Sequence, residues 1–200
     1  MVAWAPSNAD GLPDERDFIV RVLVAAAERT TFDLWIFGVK DEGAMQHHTA
    51  ELSKRGIGVR CYPPMRFDSF YRILSGADIG LNPLCEDTNT FAAGKSFGKT
   101  LAYLACGLAV VTTPTVDHPL FFEDGINGFM CESTEDWARR VIALVDDREL
   151  RRSIVESATR DFERRLHPSA AAQRFATIVA AIPKRDSSAR RLRVAGSTSP

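Results

Sequence analysis

The sequence predicts an α/β fold, a doubly wound parallel sheet covered by helices on both faces. Three observations carry that prediction. Five or six short strand-like runs alternate with helical patterns, and three helices follow them. The strand-like runs are mostly apolar rather than cleanly alternating, as in strands buried on both faces. Residues 77–113, ADIGLNPLCEDTNTFAAGKSFGKTLAYLACGLAVVTT, read as one complete strand–loop–helix–strand unit, and parallel strands need such a helical crossover.

Composition bounds the rest. A length of 200 residues suits one domain with a sizeable core. The apolar fraction of 45% and charged fraction of 26% are those of a soluble globular chain. The net charge of −1 supplies no global field toward nucleic acid or an anionic membrane. There is no run of about twenty apolar residues, nor a basic region followed by an apolar leader. No integral membrane segment and a cytoplasmic location are therefore expected. Cys61, Cys85, Cys106 and Cys131 lack any CxxC pairing and stand apart from His47-His48, so reduced thiols and no metal are expected.

In chain order, residues 2–5 form a very short apolar run, and Pro6-Ser7-Asn8-Ala9-Asp10-Gly11 reads as a turn. A strand opening so early fits an edge strand, or a chain that is one part of something longer. Pro13 starts a helix with Asp14 and Glu15 in its first turn, and Phe18, Val22, Leu23 and Ala26 follow the 3.6-residue period. Residues 32–37, apolar and aromatic before Gly38, predict a buried parallel strand. A polar helix is expected over 44–54. GVRCY at 58–62 is the next strand, ended by Pro63-Pro64. Residues 68–75 read as a helix capped by Asp68, with Phe70, Tyr71 and Leu74 inward.

Beyond residue 113 come a loop at 114–118, a helical turn at 119–123, the turn Asp124-Gly125-Ile126-Asn127-Gly128 and a short strand at 129–131. Ser133 or Thr134 caps the next helix with Glu135 or Asp136 behind it; Trp137, Val141, Ile142, Leu144 and Val145 form its buried face. Two more helices are expected, at 148–166 and from Pro168 to 182. Residues 1–183 are read as one domain. Residues 184–200, with five Lys/Arg against one Asp, are read as a basic disordered tail.

In open α/β sheets ligands sit beyond the carboxyl ends of the strands. The loop and helix start inside 77–113 are therefore where a site is expected. The helix from Ser96 places Lys95, Lys99 and Ala102 on one face, and Phe97, Leu101, Leu104 and Ala105 on an apolar stripe. Its opening amides, two lysines, Gly94 and Gly98 suit a phosphate or pyrophosphate; solvated lysines beside loop-shaping glycines fit equally well. Glu86 and Asp87, with Thr88 and Asn89, suit either sugar hydroxyls or a plain acidic loop. Gly94-Lys95-Ser96 is not part of a GxxxxGK[ST] pattern, because residue 89, where the pattern needs its first Gly, is Asn. Asp117-His118 has no Ser or Cys nucleophile beside it and reads as a polar loop pair.

Taken in order, ADIGLNPL…DTNTFAAGKSFGKTLAYLACGLAVVTTP, DGINGFM and EDWARRVIALVDDRELRRSI make a specific combination. Over residues 2–182 the chain resembles the nucleotide-sugar-binding C-terminal domain of the family-4-like retaining glycosyltransferases. The resemblance implies a Rossmann-like domain, half of a GT-B architecture, whose donor is a UDP-, GDP- or ADP-sugar, with no metal and no other cofactor. It implies that Lys95, Ser96 and Lys99 match the family's KS--K beside the donor diphosphate. The loop with Glu86, Asp87 and Asn89 would face the donor sugar, and residues 112–116, including Thr113, would close the pocket. Positive groups and helix amides would stabilise the leaving diphosphate. No catalytic residue is assigned.

Two departures stand out. Ala102 occupies the place of the family glutamate that hydrogen-bonds the nucleotide ribose. The first βα turn, residues 6–13, lacks the family's Arg or Lys, and Arg16 and Arg21 are the nearest substitutes. No part of the chain matches the family's N-terminal acceptor domain. The implied partners are a nucleotide sugar and a separate N-terminal glycosyltransferase domain or subunit, with no nucleic acid. Two functions follow: the donor-binding half of a glycosyltransferase, or a non-catalytic binding or regulatory module acting with a partner chain.

Overall fold

The computed structural model describes residues 1–85, 97–115 and 117–183. Glu86, Asp87, Asn89, Lys95 and Ser96 lie outside the described residues, as do Val116 and the tail from residue 184. The backbone divides into two compact units, one over residues 1–162 and a second from residue 163.

Among the described residues, the first unit holds six strands: β1 (Val2–Trp4), β2 (Asp33–Phe37), β3 (Gly58–Tyr62), β4 (Ile79–Asn82), β5 (Ala109–Thr112) and β6 (Phe129–Met130). They pair in parallel in the order β3-β2-β1-β4-β5-β6. The chain builds outward from β1 to β3, returns to the other side of β1 as β4, and continues outward. That reversal is the topological switch point of a doubly wound sheet, as the sequence predicts.

The edge-strand reading of residues 2–5 is corrected: Val2 pairs with Leu34 on one side and Ile79 on the other. Val2, Ala3 and Trp4 are all buried. An all-apolar run has no polar face to give to solvent, so it belongs in the middle of a covered sheet.

Side chains alternate across the sheet with the strand period of two. Val2 and Trp4, Leu34 and Ile36, Ile79 and Leu81, and Ala109 and Val111 join one apolar cluster. That cluster is closed by α1 (Pro13–Ala27), α3 (Ala50–Lys54), α7 (Thr134–Asp146) and α8 (Arg148–Arg165). Helix α1 buries Ile19, Val22, Leu23 and Ala26, and the Phe18 ring meets the Trp137 ring edge-on at 5.5 Å. Ser133 Oγ caps α7 by accepting the Asp136 N–H at 3.1 Å, as expected. The opposite face carries α5 (Gly98–Ala105). Helix α9 (Pro168–Ala181) follows α8 and opens on Pro168.

Three local readings are corrected. The polar segment 44–54 is two helices, α2 (Glu42–His48) and α3, broken at Thr49. The buried Thr49 hydroxyl donates back to Met45 O at 2.9 Å, an alternative to helix continuation that threonine favours. Helix α4 (Phe67–Leu74) begins before Asp68, which therefore sits in the first turn and favours the helix dipole instead of capping it. On α5 the buried residues are Thr100, Ala102, Tyr103 and Leu104, whereas Leu101 and Ala105 are exposed. Tyr103 takes the inward place because its hydroxyl has backbone partners there.

Candidate functional site

Four strands end at one cleft. After β1 the chain runs Ala5-Pro6-Ser7-Asn8, after β2 comes Gly38, after β3 Pro63-Pro64-Met65, and after β4 Leu84; all line a cavity of about 830 Å³. Gly98, Lys99 and Ala102 of α5 form its other wall. The volume is that of a small-molecule site, and it lies where doubly wound sheets bind ligands. Phe67, Phe70 and Tyr71 of α4 also line it. This explains why, of the residues expected inward, Phe70 stays part-exposed and Tyr71 exposed while Leu74 is buried.

The opening of α5 faces this cleft. Phe97 is its N-cap residue, gives no side-chain cap, and the first turn holds no acidic residue. The first N–H groups of any helix lack intrahelical partners and carry partial positive charge. Lys99 in that turn adds a full one, and it is the one cation among the described lining residues. An anion offsets both; without one, a lysine there opposes the helix dipole. The Phe97 ring anchors this opening against the rings of His118, Phe121 and Phe122 at 5.3, 5.4 and 5.9 Å. His118 and Phe121 belong to the short helix α6 (His118–Phe121).

Beneath the α5 opening lies a buried polar cluster that sequence patterns do not announce. His118 Nδ1 lies 2.9 Å from the Thr113 carbonyl oxygen, so it donates. Nε2 is then the acceptor, 3.1 Å from Thr100 Oγ1 and 3.2 Å from Asn82 Nδ2. Thr112 Oγ1 donates to the Asn82 carbonyl at 3.1 Å. The cluster ties α5 to β4, β5 and α6, and so fixes where the helix opening points.

His118 is buried rather than a loop residue. Its pKa is lowered by burial, against smaller raising effects of the Thr113 carbonyl and Asp117. A proton on Nε2 would also face the Asn82 amide donor. The unfolded chain therefore binds this proton more readily, and stability falls as pH drops below the ordinary value of 6.5 toward the lower native one. Urea titrations are expected to show a slope of up to about 1.4 kcal/mol per pH unit in that window. The His118→Gln variant is expected to lose this part of the slope.

Of the expected site residues that are described, Lys99 lines the cleft, and so does Ala102 on the same helix face. Thr113 stands one strand away, its Oγ1 accepting the Leu84 N–H at 3.0 Å, which holds Leu84 in the cleft wall. Two further positioning residues carry no sequence signature. Tyr103 OH donates to Leu81 O at 2.9 Å and accepts the Ala5 N–H at 2.8 Å, joining β1 to β4 at the switch point. Burial raises its pKa, so it stays a phenol. Gly38 lets the turn after β1 pass directly over the end of β2, with Ala9 N–H donating to Gly38 O at 2.9 Å. For the buried cluster one signal does exist: IGLN and AVVT each close an apolar strand on a polar residue, and Asn82 and Thr112 pair in register. Among the described residues there is no cluster of His, Cys, Asp or Glu able to hold a metal. There is also no helix long and apolar enough to cross a membrane.

The fold is shared with solved structures at low identity. One is the C-terminal domain of a glycosyl transferase group 1 family protein from Francisella tularensis. It is 17% identical with a TM-score of 0.59, and the match covers 82% of this chain and 85% of that one. A glycosyltransferase from Rickettsia africae is 16% identical at a TM-score of 0.65, with 92% and 48% covered. The Anabaena protein HepE, solved with UDP, is 14% identical at 0.64, with 90% and 48% covered. The chain thus spans about half the length of the last two. No curated protein matches it by sequence. The model of the glycosyl transferase-like family matches residues 16–180. The chain belongs to that family, and its fold is the Rossmann-like C-terminal half of a GT-B glycosyltransferase.

Proposed function

We propose that this chain is the donor-binding half of a glycosyltransferase that takes a UDP-, GDP- or ADP-sugar and retains its anomeric configuration without a metal. The observation that carries the reading is the opening of α5, whose N-cap residue Phe97 gives no side-chain cap and which presents Gly98 and Lys99 to a cleft of about 830 Å³ at the switch point. There the donor diphosphate accepts hydrogen bonds from the first-turn amides and the Lys99 ammonium. The same groups stabilise it as a leaving group. In this reading Lys95 and Ser96 complete the anion site, Glu86, Asp87 and Asn89 meet the sugar, and Thr113 holds the wall. HepE, similar in fold, is solved with UDP, which supports a nucleotide in this cleft. Transfer itself needs a second, acceptor-binding domain or subunit to close over the donor and exclude water. The four cysteines are free thiols, which fits a reducing, cytoplasmic setting.

Isothermal titration with UDP, GDP and ADP is expected to give at least one dissociation constant in the micromolar to low-millimolar range, unchanged by EDTA. Lys99→Ala is expected to weaken it about 10- to 100-fold, the worth of a charge-assisted hydrogen bond of roughly 1.5–3 kcal/mol. Absence of binding by all three up to several millimolar would contradict the proposal.

A further inference from the structure

Resting on the donor-site reading, we infer that the Asn8 carboxamide reads the edge of the nucleotide's base. Asn8 lines the cleft, and its Oδ1 is buried without a hydrogen-bond partner among the described residues. Buried acceptors are nearly always paired, so one left open in a cleft wall calls for a donor from the ligand. A diphosphate does not supply it, because phosphate oxygens at neutral pH act as acceptors. The partner of Oδ1 is therefore an N–H or O–H carried elsewhere on the ligand.

The surroundings of Asn8 say which part of the ligand that is. Ala9 N–H donates to Gly38 O at 2.9 Å, and Asp10 Oδ2 accepts the Lys40 N–H at 2.7 Å, so the turn is tied to the chain leaving β2. The carboxamide lies against Gly11, where an added Cβ would stand 2.4 Å from Asn8 Nδ2. In the sheet, β2 and β3 lie on one side of β1, and β4, which leads to α5, on the other. The lining next to Asn8 is aromatic: Phe37 ends β2, and Phe67 and Phe70 open α4 just after Pro63-Pro64. Phe70 meets Phe37 edge-on at 5.3 Å, and Phe67 is exposed. A flat ring bearing N–H groups suits both features. It stacks on aromatic side chains, and its edge offers a carboxamide a donor and an acceptor together. The base beside Asn8 and the anion at Gly98 and Lys99 then take opposite sides of β1.

The test sets pyrophosphate, which has no base, beside UDP, GDP and ADP in titrations of the full chain. Asn8→Ala is expected to weaken each nucleotide that binds about tenfold, the worth of one or two neutral hydrogen bonds, and to leave pyrophosphate within about twofold. Its thermal transition is expected to stay in place, because Oδ1 has no partner within the described chain to lose. Asn8→Asp is expected to move the preference toward GDP, relative to UDP and ADP, about tenfold or more. A carboxylate only accepts, and of the three bases guanine alone offers two adjacent N–H groups on one edge. Equal weakening of pyrophosphate and nucleotides by Asn8→Ala places Asn8 at the anion and overturns the inference alone; so does no weakening at all. An unshifted preference in Asn8→Asp overturns the base-edge contact. That variant decides by itself where Asn8→Ala does not fold or pyrophosphate binds too weakly to titrate. Failure of pyrophosphate and of every nucleotide to bind the unaltered chain overturns the donor-site reading together with this one.

Discussion

Gly38→Ala is expected to lower the unfolding free energy by about 3 kcal/mol or more, the sum of a left-handed backbone and a forced displacement. Gly38 sits at φ +75°, where an added Cβ costs about 1–2 kcal/mol by itself. That Cβ would also stand 2.4 Å from Pro6 O and 2.7 Å from Ser7 C, both backbone atoms of the turn after β1. Backbone cannot swing aside as a flexible side chain can, so the turn must move, and with it the cleft wall made by Pro6, Ser7 and Asn8. Gly56→Ala is the control: its φ is +80° but an added Cβ meets nothing within 4 Å. Urea denaturation is expected to show Gly38→Ala clearly less stable than Gly56→Ala. For a chain of this size the melting temperature of Gly38→Ala should drop by at least about 6 °C. Equal losses at the two positions would show that the turn does not pack on Gly38 as described.

Gly80→Ala is expected to have a comparable effect through a different route. A Cβ on Gly80 would lie 2.5 Å from Cγ of the Tyr103 ring and within 2.8 Å of both Cδ atoms. The ring must then tilt or leave, and its hydroxyl would give up the Ala5 amide and the Leu81 carbonyl. Overpacking costs about 1–3 kcal/mol, and each buried backbone group left without a partner about 1–3 kcal/mol more. Tyr103→Leu added to Gly80→Ala makes room for the methyl. The double variant is therefore expected to be more stable than the sum of the two single losses implies. Strict additivity in equilibrium unfolding would contradict the contact.

What the sequence makes legible follows a physical line. Central parallel strands buried on both faces announce themselves as apolar runs, as the stretch around β5 does, while GVRCY, part-exposed at the sheet's edge, still coincides with β3 residue for residue. Helix caps are local chemistry, so Ser133 is recognisable from Glu135 and Asp136 just behind it. The position of Lys99 on the cleft follows from helix periodicity and from where open sheets bind ligands. Contacts decided by residues far apart in sequence are out of reach. Whether a three-residue strand is central or at an edge depends on Leu34 and Ile79 finding it. Gly80 and Tyr103 are far apart along the chain and read separately as an ordinary strand glycine and an ordinary helix residue. His118 reads as a loop residue because its partners, Asn82 and Thr100, are brought to it by the sheet.

The central claim concerns place: a nucleoside diphosphate held at the opening of α5. Amide chemical shifts of the 15N-labelled chain during titration with the nucleotide that binds would test it most directly. The account predicts that Gly98, Lys99 and Thr100 shift together, saturating with the binding isotherm, along with cleft residues such as Met65 and Leu84. Nucleotide binding that leaves those three amides unmoved and perturbs residues away from the cleft would contradict it.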